Sequence, residues 1–450
     1  MEQIRFDFSE KCGQIRPMHA VNNGPVYKFH ADQRITNMDA FKEAGIPYVR
    51  NHDASFNATY GGEHTVDVHA IFPDFDADVN DPASYDFVMT DEYLRVIEFS
   101  GAKTFYRLGS KIEHGVKKYG TLPPKDFQKW AEICEHIIRH YTEGWADGFK
   151  MDIEYWEIWN EPDGEPDDST NKKQWGGTKK QFFELYDIAA THLKKCFPHL
   201  KIGGPAMAQT AFDDYTWAED FLAQLKAPLD FLSWHTYHYD PRHIAEICRI
   251  MRNLLNKYGF EKTESIMNEW NYVRGWYAED WLYSLKTEKN YKGAAYIAGT
   301  IIACQNEDVD MLMYYDARPC GMNGMFSTDF VCDCLKGYYP FRMFNNLYKL
   351  GGQVKAEADN NRLYALGATD GKDSAAMVTY YDDVDDTEDV KVEITFDNLD
   401  SKNGVRVVCS RLDEDLDDEV VTEFVCYSDK FSVDLNFINY TTYLIKATAL

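Results

Sequence analysis

Two short segments carry the residue types that bond-breaking chemistry needs. Glu157-Ile158-Trp159-Asn160-Glu161-Pro162 follows an apolar run and ends at a proline, which lacks an N–H and so helps stop a strand. Glu264-Ser265-Ile266-Met267-Asn268-Glu269-Trp270-Asn271 has the same form, with Glu269 closing an apolar run 108 residues after Glu161. A lone glutamate in either place would read as an ordinary loop carboxylate. Two carboxyl groups converging on one cleft have a well-known use, cleavage of a glycosidic bond. One must be a protonated acid, the other an ionised nucleophile or base. Side chains alternate along a strand, so Glu157, Trp159 and Glu161 are expected on one face.

The elements that would position them form a regular series. β-rich runs occur near Arg16–Val21, Ile46–Arg50, Lys103–Leu108, Tyr155–Trp159, Lys201–Gly204, Asp230–Trp234, Ser265–Glu269 and Met311–Tyr315. Helical patterns separate them. Asp126–Tyr141 keeps Phe127, Trp130, Ile133, Cys134, Ile137 and Ile138 on a 3.6-residue stripe, and Phe182–Phe197 and Ala245–Tyr258 behave similarly. Eight βα units over residues 15–345 predict an α/β fold, a closed (β/α)8 TIM barrel, with its site at the carboxyl ends of the strands. Glu161 and Glu269 close the fourth and seventh runs and would face each other across that mouth.

After Leu350-Gly351-Gly352 the pattern changes to strands and turns. Strands are expected at Arg362–Leu366, Ala375–Tyr381, Val390–Phe396, Val405–Ser410, Val420–Val425 and Tyr440–Ala447, with Asp370-Gly371 and Asn403-Gly404 as breakers. Residues 346–450 therefore read as an accessory antiparallel β-sandwich, completed by a strand from residues 1–14. The acidic runs 382–388 and 413–419 lack the spacing of a calcium loop and read as solvated hairpin loops.

Composition narrows the partners. A net charge of −27 argues against nucleic acid, which requires a clustered basic surface. No apolar run reaches the ~18 residues of a membrane span. The opening Met1-Glu2-Gln3-Ile4-Arg5-Phe6-Asp7 has no basic-then-apolar leader, so the protein is expected to be cytoplasmic or already trimmed of one, and the ten scattered cysteines read as the reduced thiols of an intracellular protein. Gly109, Gly115 and Gly120 form no phosphate loop, and His235, His238 and His243 lack the spacing of a helical metal site, so no cofactor or metal is expected. The partner is a small carbohydrate, and association with further copies of the chain is left open.

These segments resemble the barrel glycosidases that carry acid/base and nucleophile on strands four and seven. Within them the chain looks most like family 39 glycoside hydrolases, which include β-xylosidases and α-L-iduronidase. The resemblance rests on Arg50-Asn51-His52, Trp156 to Pro162, Ser233-Trp234-His235-Thr236-Tyr237, Asn268-Glu269-Trp270-Asn271, and the stretch Lys336 to Gly351. It implies Glu161 as acid/base and Glu269 as nucleophile. It implies Asn160 on the sugar 2-hydroxyl, Tyr237 donating to Glu269, and His52 and His235 on hydroxyls at the sugar rim. Trp270 and Tyr315 complete the substrate-binding set, although Tyr315 stands where a tryptophan is expected. Strand parity adds Arg50 and Glu157 as a buried supporting ion pair one layer deeper.

The activity this implies is retaining, exo-acting, β-xylosidase-like hydrolysis of short oligosaccharides or glycosides. Long segments, Ala54–Tyr85, Lys111–Pro124 and Gly164–Gly177, would wall the cleft into a pocket. The alternatives are another glycosidase of the clan, such as an arabinosidase, galactosidase or endo-glucanase, and a non-catalytic carbohydrate-binding protein.

Overall fold

A computed structural model describes residues 2–30, 33–53, 64–329, 332–358, 360–385, 388–400, 402–438 and 440–450. Eight parallel strands close into a barrel: β1 (Ala20–Asn22), β2 (Tyr48–Arg50), β3 (Lys103–Leu108), β4 (Tyr155–Ile158), β5 (Lys201–Met207), β6 (Phe231–Tyr237), β7 (Glu264–Asn271) and β8 (Met311–Tyr314). The main covering helices are α1 (Met38–Ala44), α2 (Val88–Ser100), α3 (Phe127–Thr142), α4 (Lys179–Cys196), α5 (Thr216–Gln224), α6 (Pro241–Lys257), α7 (Tyr291–Gln305) and α8 (Tyr339–Leu350). Two helices start earlier than their apolar stripes suggest, because polar caps set their ends. Thr178 and Gln181 form a reciprocal capping box on α4. Asp240 caps α6 with Pro241 in its first turn.

The barrel interior is layered. Ala20, Phe105, Tyr155, Phe231, Ile266, Met311 and Met313 fill its floor. Two residues further along the same strands the inward positions turn polar: Asn22, Arg50, Glu157 and Ser233 are all buried. Period-two alternation thus stacks an apolar floor under a polar layer.

The accessory region is one nine-stranded sheet. Its strands are the amino-terminal strand Glu2–Gln14 with β9 (Gly352–Ala358), β10 (Leu363–Thr369), β11 (Ser374–Tyr380), β12 (Val390–Asp397), β13 (Val405–Leu412), β14 (Asp417–Cys426), β15 (Phe431–Phe437) and β16 (Thr442–Ala449). The sheet rolls over on itself, so that Phe424 on one edge strand meets Phe431 on the other at 5.6 Å. The amino-terminal strand pairs antiparallel with β9 but parallel with β12, so the sheet is mostly rather than wholly antiparallel. β10 and β11 are buried on both faces. One face lies in the sheet's own core with Val378 and Ile445, and the other joins the barrel core through Leu366 and Met377. Helix α7 lies between these layers, which is why it is apolar nearly all round.

The second acidic run does turn a hairpin with Glu414 and Asp415 exposed, but carboxylates of both runs are also claimed by cations. Asp383 accepts from Tyr272 Oη at 2.7 Å and pairs with Arg274 at 3.0 Å and with Lys292 at 2.8 Å. Asp417 and Asp418 pair with Lys336 and Arg342 at 2.8 and 2.9 Å. The cations that claim these carboxylates lie on the barrel, so the acidic runs fasten the sheet to it. Among the described residues no helix is long and apolar enough to cross a membrane.

Lys292 is only 5% exposed, and Asp383 is its closest carboxylate. Asp383→Ala should cost on the order of 3 kcal/mol, because it leaves a buried cation short of its closest carboxylate. The exposed Asp385→Ala should cost less than about 1 kcal/mol. Denaturant unfolding of the two variants tests this, and equal losses would show that Asp383 does not fasten the sheet.

Candidate active site

The strand ends deliver two carboxylates by different local devices. β4 stops at Ile158, and the chain turns through left-handed backbone at Trp159 (φ 76°) and Glu161 (φ 48°). The Glu161 N–H is anchored on the Ala206 carbonyl of β5 at 2.9 Å. Simple alternation therefore fails here. Trp159 leaves the Glu157 face and packs outward against Trp130, Trp175 and Phe182, whereas Asn160 and Glu161 turn inward. Gly109 permits this turn, since a Cβ there would lie 3.0 Å from the Trp159 Cα. On β7 the ladder with β6 skips Asn268 between Met267 and Glu269. This bulge lets Asn268 and Glu269 both face the interior.

Arg50 is the hub beneath them. Its Nε donates to Glu157 Oε2 at 2.7 Å, and its Nη1 to Glu269 Oε1 at 2.8 Å and Asn22 Oδ1 at 3.1 Å. Its Nη2 donates to Asn160 Oδ1 at 2.7 Å. Glu157 Oε1 also accepts from Ser233 Oγ at 2.6 Å and from Asn268 Nδ2. Asn160 Nδ2 is left buried without a partner among the described residues, available to meet a ligand oxygen.

Glu269 Oε2 accepts from Tyr237 Oη at 2.6 Å, while His52 Nε2 stands 4.0 Å from Oε1. Glu161 Oε1 lies 2.8 Å from His235 Nδ1, and Gln174 Nε2 donates to Oε2 at 3.3 Å. His235 Nδ1 is also 3.4 Å from Glu269 Oε2. One oxygen of each carboxylate and a nitrogen of His235 lie within 4.8 Å of one another.

The environments separate the two acids. Burial pushes the Glu161 carboxyl up to about 7, against the weaker pull of Gln174 and Arg50. Burial also raises Glu269, but His235, Arg50 and the Tyr237 hydroxyl oppose it. Glu269 takes a guanidinium and a phenol, donors that favour the ionised form, whereas Glu161 takes an amide and an imidazole. Burial lowers His235 to about 4, so its ring is neutral at pH 7. A neutral imidazole protonated on Nδ1 can donate to one carboxylate at a time.

Not every expected residue arrives at the cleft. His235 is fully buried between the two carboxylates, not at a sugar rim. Trp270 faces outward, its ring packed on Tyr314 and Tyr296 in the layer under α7, because it follows the inward Glu269 by one residue. His52 and Tyr315 do stand together, with ring centres 6.1 Å apart. The Tyr315 hydroxyl donates to Asp53 at 3.0 Å, and Asp53 is further paired with Lys111 and Arg318 at 3.0 and 3.1 Å. Residues 54–63 of the first expected wall lie outside the described residues. The other two walls are laced together: the Glu113 N–H donates to the Lys173 carbonyl at 2.9 Å, and the Gly176 N–H to the Thr121 carbonyl at 2.7 Å.

Sequence reasoning missed Asn22, Asn268, Ser233, Gln174 and Asp53. Asn22 lies one residue past the expected first strand, and Asn268 has the wrong parity without the bulge. Gln174 sits in a long loop where nothing marks it. Among the described residues, two further clusters bring ligand-type atoms together, His64–Asp67–His69 and Glu135–His192–Cys196. Both are occupied internally: Arg107 and His64 bond Asp67 at 2.6 Å, and Arg139 and His192 pair with Glu135 at 2.7 and 2.6 Å.

The family model for glycosyl hydrolases family 39 matches residues 7–320. The chain belongs to this family. A β-xylosidase of Caldicellulosiruptor saccharolyticus is 27% identical over 253 residues, covering 53% of this chain and 46% of that protein. A β-xylosidase of Geobacillus stearothermophilus is 33% identical over 126 residues, 27% of this chain and 22% of its own length. The match thus spans less than half the length of these curated relatives. A glucosidase from Croceicoccus marinus has the same fold with a TM-score of 0.79 at 22% identity, covering 100% of this chain and 99% of its own. A monomeric β-xylosidase from Caulobacter crescentus CB15 follows at 0.72 and 17%, with full coverage of both chains.

A carboxyl held above its unfolded pKa costs stability once pH passes the unfolded value. For Glu161 the cost begins near 4.5 and is complete above about 7. Glu161→Gln removes it. The variant should melt with the unaltered protein near pH 4 and progressively above it between pH 5 and 8. A melting difference that does not change with pH would show that Glu161 titrates normally.

Proposed function

We propose that this chain is a retaining, exo-acting glycoside hydrolase of β-xylosidase type, working without a cofactor on short oligosaccharides or small glycosides. The observation that carries the reading is the pair of carboxylates with oxygens inside 4.8 Å and unlike surroundings. Retaining enzymes hold their carboxyl groups about 5–5.5 Å apart, whereas inverting enzymes leave about 6.5–9.5 Å for a water.

Glu161, buried and protonated, donates to the leaving oxygen while Glu269 attacks the anomeric carbon. The leaving group departs with that proton, and the sugar stays bonded to Glu269. Glu161, now ionised, takes a proton from water, whose oxygen displaces Glu269 and restores both groups. His235 can follow this exchange: its Nδ1 proton serves Glu269 before attack and Glu161 once that carboxyl is charged. Arg50 and Tyr237 keep Glu269 ionised for attack and stabilise it again as it leaves. The buried Asn160 Nδ2 is oriented by Arg50 and supplies a donor for the sugar 2-hydroxyl, a contact that strengthens in the transition state. The laced walls after β3 and β4 favour a pocket and hence exo action. β-Xyloside is favoured because the β-xylosidases of Caldicellulosiruptor saccharolyticus and Geobacillus stearothermophilus are similar to this chain in sequence.

A panel of chromogenic β-xyloside, arabinoside, glucoside and galactoside should show turnover with β-xyloside as the preferred substrate. Glu269→Ala should lose activity by at least about a thousandfold and regain part of it with azide, yielding a glycosyl azide of inverted configuration. Glu161→Ala should retain more of the first step with an activated aryl leaving group, and its azide product should keep the substrate's configuration. Wild-type turnover in either variant would contradict the role given to that residue, and a panel without turnover would contradict the hydrolase reading.

A further inference from the structure

The two oxygens of Glu269 face different sides of the cleft. Oε1 is turned to Arg50 and His52, beside the closed wall of Tyr315 and Asp53. Oε2 is turned to Tyr237 and, through His235, to Glu161. The proton donor must stand beside the leaving oxygen, so the leaving group lies on the Oε2 side and the sugar that is held lies on the other.

On the Oε2 side, aromatic surface faces water. Trp276 packs on Tyr237 with ring centres 5.2 Å apart, near edge-on at 73°. Its other neighbour is Trp281, stacked at 5.4 Å and 23°. Trp276 is 36% exposed and the adjacent Tyr277 is 85% exposed. The segment that carries them is held in place. Arg274 pairs with Asp383 at 3.0 Å, lies over the Tyr283 ring at 3.9 Å, and donates its N–H to Ser284 Oγ at 2.9 Å. An anchored indole open to solvent beside a polar reaction centre, backed by the half-buried Trp281, has no packing reason to stay uncovered. Its flat face matches the C–H face of a pyranose or an aromatic ring.

We propose that Trp276, backed by Trp281, is the stacking shelf for the ring of the leaving group. This rests on the glycoside hydrolase reading and adds to it which part of the substrate is recognised by contact rather than by chemistry. The shelf binds a ring and carries no reacting atom.

The test compares leaving groups on the preferred glycone: a disaccharide, an aryl glycoside, and the glycosyl fluoride, which has no ring to stack. In Trp276→Ala, kcat/KM for the disaccharide or the aryl glycoside should fall about 10-fold further than for the fluoride. Trp281→Ala should shift the same ratio less, and Trp276→Tyr should restore most of it. A larger loss on the disaccharide would identify a second sugar as the natural occupant, and a larger loss on the aryl glycoside an aromatic aglycone. Equal loss on all three substrates would overturn the shelf and leave Trp276 as a support for Tyr237. Inactivity of the unaltered protein on all three would instead overturn the hydrolase reading, and the shelf with it.

Discussion

The buried guanidinium of Arg50 is the interaction on which the site depends. Its partners come from three other segments of the barrel: Asn22 ends β1, Glu157 and Asn160 sit on and after β4, and Glu269 lies on β7. A charge at zero exposure is tolerated only if each donor is met. Arg50 can be met only when the barrel has closed, since no two of these strands adjoin except β1 and β2. Closure and assembly of the site are therefore one event. The apolar floor of Phe105, Tyr155 and Phe231 keeps water from the pair from below.

The same charge explains why two nearby carboxyls differ. Arg50 already faces Glu157 and Glu269, so the layer is short of positive charge. Arg50 bonds Glu269 directly but pulls only weakly on Glu161, where burial prevails and the proton is held. The excess negative charge suits a reaction whose transition state gains positive charge on the sugar ring. Neutral His235 links the two carboxylates without disturbing this balance.

The barrel and the Arg50–Glu157 pair were readable because period-two alternation holds along β2 and through the start of β4. Legibility ends where the backbone departs from that period. The left-handed residues after Ile158 turn Trp159 outward, and the bulge in β7 turns Asn268 inward, and neither leaves a local mark in composition. Trp270 is the opposite case: alternation from Glu269 sends it outward, and the family resemblance overrode that simple reading. In the accessory sheet, β15 alternates as Phe431-Ser432-Val433-Asp434-Leu435-Asn436-Phe437 and could have been found. The acidic runs could not have been placed, since the cations that bind them, Lys292, Arg274, Lys336 and Arg342, are distant in sequence.

The central claim is that Glu161 and Glu269 stand close enough for a sugar to be passed to Glu269 and then to water. The anomeric configuration of the first-formed sugar tests this most directly. Proton NMR of the preferred glycoside, followed from the start of hydrolysis before mutarotation, should show the substrate's own anomer appearing first. First appearance of the opposite anomer would place a water between the two carboxyls and contradict the account.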